Sequence, residues 1–471
     1  MKKSSRTRTE EDFLGSVKIP SSAYYGAYTF RAKNNFRISG IHAPECFKQA
    51  MGVVKLAGAT TNFEIGLIGK KEFSAIKQAC TEFIDGKFQQ DFCLDIFQAG
   101  AGTGYNMNAN EIIANRANEL LGKEKGKYAP VHPNNHVNMA QSSNDVMPTA
   151  TRIAVLLELP TLLEEIKELE KEIDNKIKKY GKLIKVARTH LQDAVPITFG
   201  QEFDSYKQAI MNSAKLIKQQ AEDLKILGIG GTAVGTGINA DPKFQPLMIK
   251  NLTKLTKIQF KKAPNATEIA NNMNSFMNFS SGLRSLATNL LNFMNDLKIM
   301  NMGPRAGLSE ISLPKVQPGS SIMAGKINPS VPESVEMVCF QVLGNDRTIE
   351  LAAQKSNFEL NVHCPIIMYN LLQSIHILTT SIRTLRLLGL KNMEVNESRI
   401  KELLERSLST ATGLVPLIGY EKTAEIVKAA IKNNTSIKQE LIKQNLFKKA
   451  EIDKILNPKR IIKPQSVKKS L

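Results

Sequence analysis

Residues 159–180 read L-P-T-L-L-E-E-I-K-E-L-E-K-E-I-D-N-K-I-K-K-Y. Within them Leu159, Leu162, Ile166, Leu169, Ile173, Ile177 and Tyr180 recur every three or four residues, with Glu and Lys crowding the positions between. A helix brings residues three and four apart onto one face, so this spacing predicts a long helix that buries an apolar stripe and leaves its charges in water. The pattern returns over 203–227, 269–300, 333–353 and 362–388. Helices of about 25 residues are about 38 Å long. Several of them joined by loops predict a mainly all-α chain built on a long-helix bundle.

Three domains are expected: a mixed, mainly helical one over 1–142, a central bundle over 143–396, and a small lysine-rich helical one over 397–471 with its end frayed from Lys459. The first contains helix-like spacing at 46–67 and 71–83. So much apolar face on one chain predicts that subunits pack bundle against bundle.

Composition narrows the class. The chain has 471 residues, 42% hydrophobic and 23% charged, with room for a large core. No uninterrupted apolar run approaches the roughly 18 residues of a membrane span, and the polar, basic residues 1–11 lack the apolar centre of a signal peptide. A cytoplasmic protein without a membrane partner is expected. The five cysteines are scattered, with no C-x-x-C pair, and read as buried, reduced thiols. The net charge of +19 invites a nucleic-acid reading, but lysines alternate with glutamates on helical faces and aromatics are only 6%, leaving little for base stacking. A basic cleft for a small anionic substrate suits the charge better.

The polar interruptions are where chemistry is expected. Residues 319–329, G-S-S-I-M-A-G-K-I-N-P, have neither helical nor strand periodicity and read as a mobile loop. Its serines become useful bases or nucleophiles only where an anion is stabilised, which glycine-flanked backbone N–H groups and Lys326 would do. A P-loop is excluded, because five residues separate Gly319 from Gly325 and Ile327 follows the lysine. Residues 98–110, Q-A-G-A-G-T-G-Y-N-M-N-A-N, read as a glycine-rich cradle ahead of a helix starting near Glu111. In 132–148, Ser142, Ser143 and Asn144 suit either a carboxylate or a helix cap. His132 and His136 have the spacing of two zinc ligands, but Pro133 argues against a helix and no third ligand stands out. Thr189 and His190 stand before a proline-broken segment. Residues 228–233 fit the dinucleotide fingerprint loosely, but they follow a helix rather than a strand.

Taken together, these segments resemble the aspartase/fumarase superfamily. The resemblance rests on 319–329 and on T-G-Y-N-M-N-A-N-E (103–111), H-V-N-M-A-Q-S-S-N-D (136–145), R-T-H-L-Q-D-A (188–194), G-T-A-V-G-T-G-I-N (231–239) and G-N-D (344–346), which span most of the chain in family order. Two departures are Ala324, where the family commonly has proline, and Ala187, where it commonly has glycine. The resemblance implies a three-domain fold whose central helices form the core of a homotetramer, with each active site shared between subunits.

It also implies reversible deamination of L-aspartate to fumarate and ammonia through an enediolate, with class II fumarate hydratase as the alternative. E-E-D-F-L-G (10–15), A-Y-Y-G (23–26), G-P-R-A-G-L (303–308) and V-P-E (331–333) resemble aspartases, whereas N-F-E-L-N (357–361) resembles fumarases. By the same resemblance Ser320 is the base, and Thr103, Ser142, Ser143 and Ser321 hold the β-carboxylate. Thr189, Lys326 and Asn328 hold the other carboxylate, Asn144 and His190 approach the amino group, and Glu333 orients His190. No cofactor or metal is required, although activation by a divalent cation is known in such enzymes.

Overall fold

The computed structural model describes residues 6–463, and they are mostly helical. In chain order come β1 (Thr7–Asp12), β2 (Gly15–Pro20), α1 (Ala27–Asn35), α2 (Glu45–Ile65), α3 (Lys70–Ile84), α4 (Thr103–Leu120) and α5 (Ser143–Tyr180). Then follow β3 (Ile184–Thr189), β4 (Gln192–Thr198), α6 (Phe199–Ala221), β5 (Ile226–Leu227), α7 (Phe244–Thr256), β6 (Lys261–Lys262), α8 (Ala266–Asn271) and α9 (Asn274–Asn301). The remainder is β7 (Ile311–Ser312), α10 (Ser330–Ala353), α11 (Cys364–Thr384), β8 (Glu394–Val395), α12 (Glu397–Arg406) and five short helices, α13 to α17, from Val415–Ile418 to Pro458–Ile461. That last turn includes Lys459; the rest of the expected frayed end, 464–471, lies outside the described residues.

The stripe that predicted α5 is its buried face. Leu162 and Leu169 are fully buried, and Leu159, Ile166, Ile173 and Tyr180 nearly so. Near the end the register turns: Ile177 is half-buried, and Lys176 is buried in its place. Its ammonium donates to the carbonyls of Lys391 (2.8 Å) and Met393 (3.3 Å), which satisfies a charge that burial would otherwise penalise. Helix α5 runs 38 residues through Pro148 and Pro160, about 57 Å at 1.5 Å per residue. By length and composition it could cross a membrane, but 72% of its most apolar window is buried, as in a core helix.

The described chain divides into two compact units. One takes in the chain up to Glu164, Ser213–Ala287 and Val338–Thr379; the other takes in Glu165–Asn212, Thr288–Met337 and the chain from Thr380 on. Helices α5, α6, α9, α10 and α11 contribute to both. Within the second unit the C-terminal helices have their own cluster around Leu414, Ile426, Ile437, Leu441 and Ile452.

The proline-broken interruption over 184–198, given no regular structure from sequence, is an antiparallel hairpin of β3 and β4. Pro196 lies opposite Val186, and the register shifts just after it. A residue without an N–H is tolerated at such an irregularity. The two turn residues, His190 and Leu191, both have left-handed backbones (φ 56° and 58°), the shape that carries a tight hairpin and that favours Asn-Gly. Placing a histidine and a leucine there costs about 1–2 kcal/mol each.

Candidate active site

In the first unit, two helix starts open on one cleft. Helix α4 begins at Thr103, eight residues earlier than its apolar spacing suggested, because Asn106, Asn108 and Asn110 occupy buried positions on it. The preceding Gly102 has φ 70°, and a Cβ there would lie 2.5 Å from the Met147 methyl, so glycine is required by both backbone and space. Helix α5 begins at Ser143. Ser142 caps it: its carbonyl accepts the Val146 N–H at 2.9 Å and its Oγ accepts the Asn144 N–H at 3.3 Å.

Thr103, Asn106, Asn138, Gln141, Ser142 and Ser143, with Thr232 and Asn239, line a cleft of about 380 Å³. Four hydroxyl side chains and the positive ends of two helices therefore border one space, an arrangement that favours an anion.

Two buried charges flank the cleft. The Lys55 ammonium, on α2, donates to Asn106 Oδ1 (2.6 Å), Asn138 Oδ1 (3.0 Å) and Gln141 Oε1 (3.0 Å). Burial pushes it down to about 7, against the pull of the Asp145 carboxylate. Asp145 accepts the backbone N–H groups of Ser142 (2.9 Å), Gly230 (3.0 Å) and Thr232 (2.9 Å), pinning the start of α5 to the glycine-rich 228–239 loop. Burial raises its carboxyl to about 7, opposed by those same N–H groups.

Asn144 does not line this cleft. Its side-chain amide donates to the Ala233 carbonyl at 2.7 Å. His132 and His136 find a structural explanation in a π-helical turn over Pro133–Val137. His136 Nδ1 accepts the His132 N–H at 2.9 Å, and His132 Nδ1 accepts those of Asn134 and Asn135. Among the described residues no group of three or more His, Cys, Asp or Glu side chains could hold a metal. The 228–233 glycines follow the two-residue strand β5, not a helix as read from sequence, but the next helix starts only at Phe244, too late to hold a pyrophosphate.

The second unit carries the remaining candidates. Thr189 and His190 are exposed at the β3–β4 tip. The 319–329 segment is an exposed loop closed on itself: the Gly319 N–H donates to the Lys326 carbonyl (2.8 Å) and Asn328 Nδ2 to the Gly319 carbonyl (2.7 Å). Ser320 Oγ accepts the N–H groups of Ile322 (3.2 Å) and Met323 (2.9 Å). Ser321 and Lys326 face solvent, and so does Glu333 in the first turn of α10. Among the described residues no hydrogen bond joins Glu333 to His190.

Below the hairpin, buried Glu310 meets Arg188 Nη1 at 2.8 Å and Lys185 Nζ at 2.9 Å, while Lys185 also meets Glu202 at 2.6 Å. The Glu310 backbone is tied in turn to Met300 and Asn396. This network fastens the strand carrying Thr189 to the segment from which the 319–329 loop departs.

A family model described as Lyase matches residues 15–344, and one described as Fumarase C C-terminus matches 411–463. The chain belongs to the aspartase/fumarase superfamily of lyases. It is 44% identical to an aspartate ammonia-lyase of a Bacillus species over 97% of this chain and 98% of that one. It is 42% identical to the fumarate hydratase class II 2 of Bradyrhizobium diazoefficiens over 97% of each. Among solved structures, a recombinant class II fumarase from Schistosoma mansoni superposes with a TM-score of 0.95 at 36% identity, over 98% of this chain and 100% of that one. A fumarate lyase:delta crystallin from Brucella melitensis, bound to cobalt, gives a TM-score of 0.93 at 40% identity over the same shares.

Within this lyase, sequence reasoning missed Lys55 and Asp145. The signal was present in V-V-K-L-A, a lysine in the middle of an otherwise apolar helical run, and in the aspartate closing S-S-N-D.

Proposed function

We propose that this lyase is an aspartate ammonia-lyase, converting L-aspartate reversibly to fumarate and ammonia. The observation that carries the elimination chemistry, whichever group leaves, is the cleft at the start of α4 and α5, where Thr103, Ser142 and Ser143 stand beside two helix N-termini. A carboxylate held there is held where negative charge grows. Removing a proton from the carbon beside it pushes electrons into that carboxylate, giving an enediolate. The C–N bond then breaks, its electron pair leaving with the nitrogen, and the double bond of fumarate forms. The site works by electrostatic stabilisation, stronger for the intermediate than for the substrate.

In this reading Ser320 takes the proton once its loop closes, with Lys326 and the loop amides stabilising the serine anion. Ser321 adds a donor to the β-carboxylate, and Thr189, Lys326 and Asn328 hold the other carboxylate. Asn144 and His190 approach the amino group, and Glu333 orients His190. Ammonia is favoured over water as the leaving group by the aspartase-like segments 10–15, 23–26, 303–308 and 331–333. An ammonium leaves already protonated, so no strong general acid is needed. Asn144 fits this role, because its amide nitrogen is turned to the Ala233 carbonyl and its oxygen is left as an acceptor for an ammonium.

Thr189, His190, Ser321 and Lys326 are exposed on the single chain, so we further propose that sites are completed between subunits of a homotetramer. Sedimentation at four times 52.1 kDa is the expected result, and an active monomer contradicts it. No cofactor is assigned a role. The decisive assay gives the purified enzyme L-aspartate and L-malate separately and compares kcat/KM. Clear preference for malate makes it a class II fumarase, the second reading, which segment 357–361 favours.

A further inference from the structure

We propose that Lys55 is a positioning residue for this reaction, its buried ammonium acting through Asn106 on Ser143 to hold the carboxylate-binding wall ready for a second negative charge. The inference rests on the elimination chemistry proposed above. Lys55 does not line the cleft; the three side chains that accept its hydrogen bonds do. Its neighbours on α2, Val54, Leu56 and Ala57, are buried and apolar, so the ammonium has been taken out of water and its three N–H bonds are directed at Asn106, Asn138 and Gln141.

The consequence falls on the Asn106 amide. An amide has one accepting end and one donating end, and the 2.6 Å bond from Lys55 fixes the oxygen of Asn106 toward the ammonium. Its Nδ2 must then point the other way, where it donates to Ser143 Oγ (3.2 Å) and Asn138 Oδ1 (3.1 Å). A serine oxygen that already accepts a hydrogen bond has its own proton free to donate into the cleft. Lys55 thus sets Ser143 as a donor toward a carboxylate rather than an acceptor that would repel it.

The charge adds a second effect. In its protonated form Lys55 is a cation behind the wall, and it interacts more favourably with a doubly charged enediolate carboxylate than with the singly charged substrate. The ionisable groups facing Lys55 are Asp145 from α5 and the Cys80 thiol from α3. Asp145 turns its oxygens to three backbone N–H groups and makes no ion pair with Lys55 among the described residues.

Two variants test this, Lys55→Met and Asn106→Asp, each assayed beside the wild type for kcat and KM with both L-aspartate and L-malate. Lys55→Met removes the charge; the expected result is a kcat lower by about 10- to 100-fold, the usual scale for a group supporting direct ligands, with KM within about threefold. Asn106→Asp keeps shape and places a carboxylate against the ammonium, but it cannot donate to Ser143, so kcat falls in the same range. It also decides the matter alone if Lys55→Met does not fold. A kcat within twofold of wild type in a folded variant, or a loss confined to KM, overturns the proposal. A wild type active on either substrate with unchanged variants sinks this inference only; a wild type inactive on both removes the proposed function and this inference with it.

Discussion

Replacing Glu310 by Gln measures how firmly the hairpin carrying Thr189 and His190 is held. Glu310 is 1% exposed, and its carboxylate meets Arg188 at 2.8 Å and Lys185 at 2.9 Å, the second contact close but without hydrogen-bond geometry at Oε2. Removing one partner of a buried ion pair costs about 3–5 kcal/mol, mostly because the other charge is stranded. Here Lys185 keeps Glu202 at 2.6 Å, and the Arg188 side chain is 17% exposed and open to water, which places the loss at the lower end. About 3 kcal/mol is about a hundredfold in an opening equilibrium. Backbone hydrogen exchange across 184–198, read by mass spectrometry, reports that local opening directly. The expected result is exchange about a hundredfold faster in the hairpin, with kcat/KM lowered because Thr189 and His190 lose their fixed position. Glu202→Gln is the control: Lys185 retains Glu310 and the glutamine oxygen can still accept from Lys185, so a smaller loss than in Glu310→Gln is predicted. Hairpin exchange within threefold of wild type in Glu310→Gln refutes the claim that this network anchors the hairpin.

Ser320→Ala is expected to lower kcat by roughly 10²- to 10⁴-fold with little change in KM, since it removes the proposed base but none of the main carboxylate contacts. Near-normal turnover with the loop intact makes His190 the candidate base. Glu111 is fully buried, accepts the N–H groups of Gly26, Tyr28 and Thr29, and is raised by burial to about 7. Its folded value lies above its unfolded one, so its contribution to stability is complete below about pH 4 and is lost as pH rises through about 7. Thermal melts from pH 5 to 8 should therefore show the wild type losing on the order of 3 kcal/mol relative to Glu111→Gln, and parallel curves count against it.

Most long helices were legible because each has one apolar face at helical spacing, and that stripe survives in the buried residues of α5 and α9. The start of α4 was not, because its buried face carries Asn106, Asn108 and Asn110, which look like a turn to any reading based on apolar periodicity. The β3–β4 hairpin escaped for a related reason. Its turn is His190-Leu191 instead of Asn-Gly, and a strained left-handed pair leaves no compositional trace. Lys176 and Lys55 show the same limit inside helices. Whether a helical lysine finds carbonyl or amide oxygens depends on residues 51 to 217 positions away, which local pattern cannot supply.

The site was legible unevenly, and the unevenness has a chemical origin. Hydroxyls and amides in polar interruptions stand out because no packing rule calls for them, so Ser142 and Ser143, which line the cleft, were candidates from composition, whereas Thr103 and the base role of Ser320 came from the resemblance alone. The groups that set how those side chains point are buried within helices, where Lys55 breaks an apolar run and Asp145 sits in the first turn of α5. For the same reason, overall identity does not separate aspartate from malate: 44% to an aspartate ammonia-lyase and 42% to a fumarate hydratase are nearly equal. Both substrates present the same two carboxylates, so a carboxylate-binding cleft of this kind serves either. Discrimination has to come from groups that meet the leaving nitrogen or oxygen, and on the proposed assignment these are Asn144 and His190. The Asn144 amide is oriented by the Ala233 carbonyl in the glycine-rich 228–239 loop. That loop is in turn held by Asp145, so on that assignment the choice between ammonia and water would depend on the same buried carboxylate that anchors the start of α5.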